Sequence, residues 1–595
     1  MAERWSEATV PGMFFNRVER FGDRAMLVGK ENGRWASSSW NQVAQAVRET
    51  SLGLMALGLA PNGTVTVLSQ NRKEWTCCDL AIMSARGVTV PIYASNIPKD
   101  CAYIVGHSES RFCIVENGHQ LAKVLETWDG LPALEKVLLI EGEKPGRPGV
   151  MTLSEVREEG RRQDPAVFEE RVRAIDPEDL YTISYTSGTT GPPKGVMLTH
   201  RSMRYINRAI LNYVQFSTDD VTLCFLPLAH MMERFIHYSS MHAGVTIHFA
   251  ESIEKVPENL LEVRPHAFFS VPRLFEKVYA AILSNVEAGP PRKKRIFGWA
   301  RRVGERCADL EIAGKPVPPL LVLQRRAADR LVFKKIRARL GGRVRYIGSG
   351  GAPISPEIVK FFHAIGLPPL EAYGLTETSA PATVNARPTL KFGTVGKPMP
   401  GCEVKIAPDG EVLIRGDNLF SGYFKRPEDT GKAMDGGWFC SGDIGELDAD
   451  GFLRITDRKK DLIITAAGKN IAPQNIENLV KTDRYLSQVV VIGDRRAYLT
   501  ALLTLNLPEV RRWAQENGVA AACDEALAAD PKVLALVQKS IDAKNRELTR
   551  FEQIKKFRIL PADFSQETGE LTPTMKVKRN VVNKKYAGVI EAMYT

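Results

Sequence analysis

The first hundred residues alternate between helical and strand patterns, and this alternation restricts the possible folds more than any other feature. In SWNQVAQAVRETSLGLMALGL the apolar residues fall at helical spacing, and Pro61-Asn62-Gly63 ends the helix. TVTVLSQN then has the pattern of a buried strand, DLAIMSARG is helical again, and VTVPIYAS is a second strand. Strands and helices that alternate in this way form a parallel sheet covered by helices. We therefore predict an α/β fold for this part of the chain.

The length of the chain and a change of pattern after about Gly393 predict further domains. A length of 595 residues is too great for a single hydrophobic core. From about Gly393 the pattern changes to short strands, with one hairpin predicted at Asp409-Gly410 and another at Asp450-Gly451. A barrel-like or sandwich-like subdomain fits this region. After Asp457 the charged run DRKKD precedes a smaller α+β segment that continues to the end.

The positive charge is concentrated in one segment. The net charge is +11, and between Pro291 and Arg345 there are 17 Lys and Arg against four Asp and Glu, a local net of +13. The remainder carries only −2. A uniformly basic nucleic-acid binder does not have this distribution. We predict an enzyme-like body with one basic patch and no nucleic-acid partner.

The cysteine and histidine spacings argue against a disulfide framework or a zinc site. The nine cysteines include no C-x-x-C pair and the nine histidines no H-E-x-x-H, which favours a reducing compartment. The N-terminus lacks a basic start followed by an apolar run, and no stretch approaches the ~18 uninterrupted apolar residues of a membrane helix. We therefore expect a cytoplasmic protein.

The stretch YTSGTTGPPKGV, which starts at Tyr185, is rich in hydroxyls and glycines and carries one lysine. It follows the strand pattern DLYTISY and precedes MLTHRSMRYINRAIL, which has the pattern of a helix with its N-cap near Thr199. A strand, a glycine-rich loop and a helix in that order surround an anion with backbone N–H groups and hydroxyls. The Walker pattern is absent, because Gly195 follows Lys194 where that motif has Ser or Thr. A solvated loop with a surface lysine is the alternative.

This stretch resembles the signature loop of adenylate-forming enzymes, which include acyl- and aryl-CoA synthetases, luciferases and peptide-synthetase adenylation domains. Five further motifs follow in the family's order, so the resemblance covers nearly the whole chain. They are GSGGAP at Gly348, YGLTET at Tyr373, SGDIGELD at Ser441, DRKKDLIITAAGKNIAP at Asp457 and LTPTMKVKR at Leu571.

The resemblance implies a fold and a domain division. The fold is a large N-terminal domain of α/β sheets with a β-barrel-like subdomain, followed by a small mobile α+β C-terminal domain. We expect the first domain at residues 1–457 with a basic insert at about 285–345, a hinge at 458–460, and the second domain at 461–595.

The resemblance also implies a reaction that uses ATP, Mg²⁺ and coenzyme A. A carboxylate attacks the α-phosphate of ATP and expels pyrophosphate, and a thiol then displaces AMP from the acyl-AMP. Positive charge and a metal must neutralise the approach of one anion to another. The residues implied for the β- and γ-phosphates are Thr186, Ser187, Gly188, Thr189, Thr190 and Lys194.

Further motifs imply the nucleotide site. Tyr373, next to Gly374, resembles the ring that stacks on adenine, and Thr376 the hydroxyl that contacts the α-phosphate. Glu377 resembles the Mg²⁺ ligand, with Thr186 as a second candidate, and a surface acid at a helix start is the alternative for Glu377. The ledge against adenine is Gly350, Gly351, Ala352 and Pro353, and this proline rules out a dinucleotide fingerprint.

Asp443 resembles the acid that accepts both ribose hydroxyls, and Arg458 the arginine on the ribose side. The alternative for this pair is an ion pair that braces a hairpin.

The last motifs imply a domain switch. Lys576 stands where the family has its adenylation lysine, although Met575 replaces the usual glycine before it. The alternative is a basic tail, because Lys578 and Arg579 lie close by. Lys460 resembles the hinge residue. The loop with Gly468 would shape the coenzyme A tunnel after Lys576 withdraws.

The acid is predicted to be a long-chain fatty acid. LPLAHMMERF resembles the segment beside the acyl pocket, with His230 near the substrate carboxylate or, alternatively, packed in the core. Just after this histidine some long-chain relatives carry a tryptophan that gates the pocket, and this chain has Glu233-Arg234 instead. FFSVPRLFEKVY and the insertion after it resemble long-chain acyl-CoA synthetases. The other readings are a fatty acyl-AMP ligase, a medium-chain or aryl enzyme, a luciferase, a peptide-synthetase module, and a non-catalytic nucleotide or lipid binder.

The basic patch contains RIFGWARRVGER, whose apolar residues fall on one helical face and whose charged residues fall on the other. That pattern predicts either an interfacial helix, with contact to an anionic membrane through Arg292–Arg345, or a helix docked on its own domain. The apolar residues are Ile296, Phe297, Trp299, Ala300 and Val303, and the charged residues are Arg301, Arg302, Glu305 and Arg306.

Overall fold

A computed structural model describes residues 4–186, 192–466, 469–521, 523–572 and 576–595. Five of the predicted site residues lie outside these ranges, and their roles stay predictions. They are Ser187, Gly188, Thr189, Thr190 and Gly468.

The strands follow one another as β1 (Ala25–Glu31), β2 (Arg34–Ser39), β3 (Thr64–Leu68), β4 (Val88–Ile92), β5 (Phe112–Val115), β6 (Lys136–Leu139), β7 (Val150–Thr152), β8 (Leu180–Thr186), β9 (Lys194–Thr199), β10 (Val221–Cys224), β11 (Thr246–Phe249), β12 (Ala267–Ser270), β13 (Tyr346–Gly350), β14 (Pro369–Leu375), β15 (Ala380–Asn385), β16 (Lys397–Pro398), β17 (Cys402–Ile406), β18 (Glu411–Gly416), β19 (Gly422–Tyr423), β20 (Met434–Asp435), β21 (Trp438–Leu447), β22 (Leu453–Arg458), β23 (Ile463–Ile464), β24 (Asn470–Ile471), β25 (Leu486–Ile492), β26 (Leu499–Leu505) and β27 (Ile554–Ile559).

The α-helices are α1 (Val10–Phe21), α2 (Trp40–Ala56), α3 (Lys73–Ser84), α4 (Pro98–His107), α5 (Gly118–Leu125), α6 (Leu153–Arg161), α7 (Pro165–Arg173), α8 (His200–Ala209), α9 (Met231–Ala243), α10 (Val256–Val263), α11 (Pro272–Glu287), α12 (Pro291–Ile312), α13 (Pro319–Ala328), α14 (Lys334–Ala338), α15 (Pro356–Ala364), α16 (Pro427–Ala433), α17 (Pro473–Val480), α18 (Leu507–Glu516), α19 (Asp524–Ala529), α20 (Pro531–Asn545), α21 (Arg579–Lys585) and α22 (Ala587–Glu591).

The N-terminal part contains two large sheets, and its βα alternation confirms the α/β prediction. One sheet has the strand order β19-β9-β8-β4-β3-β5-β6-β7, and β3 pairs with β4 and β5 in parallel. The other has the order β16-β15-β14-β13-β12-β10-β11-β1-β2. The sheets share one hydrophobic core, to which Val65 and Leu198 contribute from the first sheet and Ile247 and Val384 from the second.

The glycine-rich stretch connects two antiparallel strands, so the predicted order of strand, loop and helix is wrong. β9 pairs antiparallel with β8, with Thr186 opposite Lys194. Val196 and Leu198 of β9 are fully buried, and this burial favours a strand directly after the loop. The helix α8 begins only at His200, although the predicted N-cap is confirmed, because the Thr199 side chain accepts the Ser202 N–H. The strand β9 therefore separates this stretch from the N-terminus of α8 along the chain.

The predicted hairpins are confirmed in a five-stranded antiparallel sheet. β17 pairs with β18 around Asp409-Gly410, and β21 pairs with β22 around Asp450-Gly451. β21 also pairs with β18 and β20, so this one long strand joins the subdomain together.

The C-terminal part has its own three-stranded sheet, β25-β26-β27, and its own hydrophobic cores. It also contacts the N-terminal part through α11. Arg273 Nη2 donates to Ser487 Oγ at 2.8 Å, and Ser284 Oγ donates to Glu509 Oε2 at 3.2 Å. These contacts hold the small part against the large one.

The helix α12 is docked on its own domain, so the alternative of an interfacial helix is wrong for it. Phe297, Ala300 and Val303 are buried in a core shared with α15 and α11, and Trp299 packs against that core. On the other face, Arg301 binds Glu305 and Glu357. In the part of the chain that the structure describes, no helix is both long and apolar enough to cross a membrane.

Candidate active site

A single cavity of about 1670 Å³ is lined by every predicted site residue that the structure describes. Strands of both large sheets, the antiparallel subdomain and the C-terminal part all contribute to its wall. The predicted residues that it brings together are Thr186, Lys194, His230, Gly350, Gly351, Ala352, Pro353, Tyr373, Gly374, Thr376, Glu377, Asp443, Arg458, Lys460 and Lys576.

Glycines make the floor of this cavity flat. Gly350 ends β13 opposite Ala372 of β14, and a Cβ on it would lie 3.3 Å from the Ala372 carbonyl oxygen and 3.4 Å from Met232 Sδ. Gly351 has a φ of +77°, a conformation that favours glycine. A Cβ on Gly374 would lie 1.9 Å from the Ala380 carbonyl oxygen. Backbone therefore forms the ledge on which a planar group could lie.

The carboxylate of Asp443 joins two of the predicted nucleotide residues. The Tyr373 hydroxyl donates to Oδ2 of Asp443 at 2.8 Å, and Arg458 Nε lies 3.1 Å from Oδ1. Asp443 and Arg458 face each other across the β21–β22 hairpin, so the ion pair named as the alternative is present. Burial, together with Asp443, raises the pKa of Tyr373 far above its usual value, so its hydroxyl stays a donor. The carboxylate is buried but lies at the cavity wall, where it is able to accept hydroxyl groups of a ligand.

Glu377 is held by a tyrosine that the sequence analysis missed. The Tyr423 hydroxyl donates to Glu377 Oε1 at 2.8 Å, and the Phe420 N–H donates to the Glu377 carbonyl oxygen at 2.9 Å. Burial, together with the Glu377 carboxylate, raises the pKa of Tyr423 far above its usual value. These two bonds use Oε1 and the backbone carbonyl of Glu377, so Oε2 is available as a hard oxygen ligand for a cation. One carboxylate suffices for Mg²⁺, which binds mainly to phosphates and water. The residues present therefore fit this ion.

Lys194 is part of the same assembly. Its ammonium lies 4.8 Å from the centre of the Tyr423 ring and 3.3 Å from Oδ2 of Asp429. Lys194, Tyr423 and Glu377 thus form a continuous row along the cavity wall. Tyr423 and Asp429 belong to SGYFKRPEDT, and no spacing in one sequence marks that stretch as part of a site.

Lys576 enters the cavity from the C-terminal part, where it is hydrogen-bonded to Thr572. The Lys576 N–H donates to Thr572 Oγ1 at 3.0 Å, the Thr572 N–H donates to the Lys576 carbonyl at 2.8 Å, and Leu571 bridges to Val577. Its side chain is accessible from the cavity, but protein groups surround it and reduce its hydration. This reduced hydration, with the nearby Arg458, lowers the pKa of Lys576 to about 8, although Asp443 and Glu377 act in the opposite direction.

His230 is the N-cap of α9, where its Nδ1 accepts the Met232 N–H at 3.1 Å. Burial, together with the charge of Lys576, lowers the pKa of His230 to about 4. The ring is therefore neutral at pH 7 and carries its proton on Nε2. This half-buried histidine lines the cavity as a hydrogen-bond donor beside Lys576.

Lys460 lies in the turn after β22, at the start of the C-terminal part, and lines the cavity. Burial, together with Arg458, lowers the pKa of this lysine. The preceding residue, Lys459, is anchored to the β17–β18 hairpin, with Nζ 2.6 Å from Asp409 Oδ2 and 2.8 Å from Glu411 Oε2. The connection between the two parts is thus held on the side of the N-terminal part.

Comparisons with known proteins identify the family. Residues 14–424 match the model of the AMP-binding enzyme family, and residues 460–595 match the AMP-binding enzyme C-terminal domain. The chain belongs to the AMP-binding enzyme family. The prediction from the motifs, that this is an adenylate-forming enzyme, is confirmed.

Two curated relatives span nearly the whole chain. The long-chain-fatty-acid–CoA ligase FadD15 of Mycobacterium bovis is 39% identical over 589 residues, which cover 98% of this chain and 97% of that protein. The human long-chain-fatty-acid–CoA ligase ACSBG2 is 31% identical over 618 residues, which cover 98% and 92%. Among solved structures, the adenylation domain of a carboxylate reductase from Mycobacterium chelonae matches with a TM-score of 0.78 and 20% identity, covering 98% of this chain and 91% of that one. The structural match shows a shared fold.

In this AMP-binding enzyme, two charged residues of the acyl-pocket motif, Glu233 and Arg234, are buried outside the cavity. Arg234 is fully buried and binds Asp79, with Nε 2.9 Å from Oδ2, and it also donates to Thr182 Oγ1 at 2.6 Å. Glu233 is buried near Cys224, and burial raises its pKa to about 8. Neither side chain lines the described cavity, so neither acts as a gate where some relatives carry a tryptophan.

Proposed function

We propose that this protein is a long-chain fatty acid–CoA ligase. It activates a fatty acid with ATP to an acyl-AMP, releases pyrophosphate, and then forms the thioester with coenzyme A. The observation that carries the proposal is the convergence of Lys576, from the C-terminal part, with Glu377 and Asp443 of the N-terminal part in one cavity. The curated relatives named above, which are called long-chain-fatty-acid–CoA ligases, support it.

In the first half-reaction, ATP lies with its adenine on the Gly350-Gly351 ledge beside Tyr373, and Asp443 accepts the ribose hydroxyls. The acid approaches with its carboxylate between His230 and Lys576, because a neutral donor and a cation both favour a carboxylate there. Thr376 and Lys576 bind the α-phosphate, while Thr186 and Lys194 bind the phosphates that leave. Glu377, supported by Thr186, would hold Mg²⁺, which would supply positive charge to neutralise the phosphates.

In the second half-reaction, the group that stabilised the α-phosphate has to leave so that a thiol reaches the acyl carbon. Lys576 lies on the C-terminal part and Lys460 at the junction, so a rotation there removes Lys576 without disturbing Asp443 or Glu377. The loop that contains Gly468 then forms the tunnel for coenzyme A. The division at 458–460 is part of this proposal.

A long apolar acid is proposed for the side of the cavity that is built from α9 and from the residue that follows α8. This side carries Ile210, Met231, Phe235 and Ile236, and a chain buried there gains ~0.8 kcal/mol for each CH₂ group. A medium-chain or aryl acid would leave part of such a surface unfilled. A fatty acyl-AMP ligase would stop before the thioester, and a non-catalytic binder would not require Lys576 at the phosphate site.

The test combines two assays on the full-length chain. Palmitate is expected to drive ATP–pyrophosphate exchange, and addition of coenzyme A is expected to yield palmitoyl-CoA. Acetate and benzoate serve as comparison acids. Exchange without thioester would indicate an acyl-AMP ligase, equal turnover of acetate and palmitate would remove the long-chain assignment, and ATP binding without exchange would indicate a non-catalytic binder.

The cytoplasmic location belongs to this proposal, as does contact of the basic segment 292–345 with an anionic membrane. A ligase for fatty acids acts on molecules that partition into lipid, so a peripheral contact would bring it to its substrate. Because the apolar face of α12 is buried, another element of the segment must make that contact.

A further inference from the structure

The helix α13 and the single π-helical turn after it, Asp329–Phe333, expose leucines that pack against no core. The side chains of Leu320, Leu323 and Leu331 are 68%, 62% and 52% exposed. Their spacing of three and eight residues sets them on one face of the helix. The opposite face, with Leu321 and Phe333, is buried in the domain core. The fold of the domain therefore does not require the outer leucines.

Four cations lie on the outer side of the same run of helix, with Arg326 on α13, Arg330 on the π-helical turn, and Lys334 and Lys335 on α14, which follows directly. Arg326, Arg330, Lys334 and Lys335 are exposed, and among the residues that the structure describes none of the four has an ion-pair partner. Their neighbours toward the core are paired: Arg325 binds Glu311, and Arg337 Nη1 lies 2.6 Å from Asp329 Oδ1. The outer face, defined here as the α13 face by its three leucines and four cations, thus combines apolar groups with free positive charge.

We propose that the α13 face docks on the surface of an anionic lipid bilayer. The leucines would enter the boundary between headgroups and acyl chains, and the four cations would bind lipid phosphates. Charge complementarity favours this partner, because the excess positive charge of the chain is confined to residues 291–345, which include the α13 face. A nucleic acid would bind the cations but would leave the three apolar leucine side chains exposed to water.

Docking of the α13 face rests on the membrane contact proposed above for segment 292–345 and names the surface that makes it. Binding to vesicles is measured without any turnover of substrate. It differs from the sequence-based interpretation in the element used. The apolar residues of α12 are internal, whereas α13 turns its leucines outward. Docking through α13 leaves the core contacts of α12 undisturbed.

The experiment measures flotation of the full-length protein with vesicles. One set contains phosphatidylcholine alone, and the other contains phosphatidylcholine with phosphatidylglycerol. The protein is expected to float with the anionic vesicles only, and raised salt is expected to weaken the binding. The triple variant Leu320→Ser/Leu323→Ser/Leu331→Ser is expected to lose binding on the order of tenfold, because each leucine contributes apolar area to the contact. The quadruple variant Arg326→Gln/Arg330→Gln/Lys334→Gln/Lys335→Gln is expected to lose it by a similar factor.

Matched controls separate the α13 face from general effects. Leu261→Ser and Leu447→Ser remove exposed leucines elsewhere, at 46% and 36% exposure. A second quadruple variant, with Gln at Arg550, Lys555, Lys556 and Arg558, gives the same net charge as the first from exposed sites on the C-terminal part. All three control variants are expected to bind vesicles like the unchanged protein. Every variant is expected to keep the circular dichroism spectrum and the melting temperature of the unchanged protein.

Three outcomes would overturn the proposal. The unchanged protein could fail to float with anionic vesicles, or the controls could weaken binding as much as the α13 variants do. Binding could also survive in the leucine variant while DNA competes for the same cations, which would identify a polyanion site. Loss of ligase activity with retained flotation would refute the proposed function and leave the lipid surface standing.

Discussion

The hydroxyl of Tyr423 donates to Oε1 of Glu377 at 2.8 Å, and Lys194 lies 4.8 Å from the centre of the same tyrosine ring. One side chain thus supports both the carboxylate expected to bind Mg²⁺ and the lysine expected to bind phosphate. Its hydroxyl remains protonated, because burial and the carboxylate raise its pKa. Tyr423 is therefore a positioning residue in the proposed reaction.

The variant Tyr423→Phe is expected to raise the Mg²⁺ concentration needed for half-maximal ATP–pyrophosphate exchange. Loss of one hydrogen bond to a carboxylate costs about 1.5–3 kcal/mol, so a rise of roughly ten- to a hundredfold is expected. The KM for the fatty acid is expected to change little. The control is Tyr205→Phe. The Tyr205 hydroxyl donates to the Pro400 carbonyl oxygen at 2.5 Å, and Tyr205 does not line the cavity. An unchanged Mg²⁺ dependence in Tyr423→Phe would show that the hydroxyl does not support the metal ligand.

The pH dependence of adenylation is expected to follow Lys576. Its pKa is about 8, so the cation is present below that pH and is lost as the pH rises through it. The value of kcat/KM for ATP, which reports the free enzyme, is therefore expected to fall above about pH 8. His230, with its pKa of about 4, stays neutral and is expected to add no step between pH 5 and 8.

Exchange rates measured from pH 6 to 10 test this expectation. In Lys576→Arg the alkaline fall is expected to move beyond the measured range, since a guanidinium keeps its charge. If the fall persists in that variant, another group carries the titration.

Lys576→Ala is expected to separate the two half-reactions. Adenylation is expected to drop by several orders of magnitude because the charge at the α-phosphate is lost. Thioester formation from supplied palmitoyl-AMP is expected to remain within a few-fold, because in the proposed reaction Lys576 withdraws before that stage. The neighbouring exposed Asn580→Ala serves as the control in both assays. An equal loss of both half-reactions would contradict the domain switch.

The buried ion pair of Asp79 and Arg234 is expected to dominate the stability of the α3–α9 contact. Arg234→Met leaves a carboxylate without its charge partner at a fully buried site, although Tyr238 still donates to Asp79. Breaking such a pair costs about 3–5 kcal/mol.

The double variant Asp79→Leu/Arg234→Met is expected to recover much of that loss, because no buried charge remains. Urea unfolding of the two variants measures both effects. A double variant no more stable than Arg234→Met would show that the packing around the pair, and not its charge, carries the stability.

The sequence by itself determined the α/β class, the two hairpins of the antiparallel subdomain and the family. These features depend on local patterns: the periodicity around Val43 and Val47, turns such as Asp409-Gly410, and motifs in which neighbouring residues share one chemical task. The positions of Glu377, Asp443 and Lys576 on one cavity could also be expected, because each belongs to such a motif.

Only the tertiary structure decided what depends on partners far away along the chain. The stretch after the glycine-rich loop became the strand β9 because β8 lay beside it to complete the hydrogen bonds of the sheet. The apolar face of α12 became core and the leucines of α13 became surface because α15 and α11 covered only the first. Tyr423 joined the site through a hydrogen bond that spans 46 residues of sequence. A local pattern reports which side of a helix or strand is apolar, but burial depends on what the rest of the chain packs against that side.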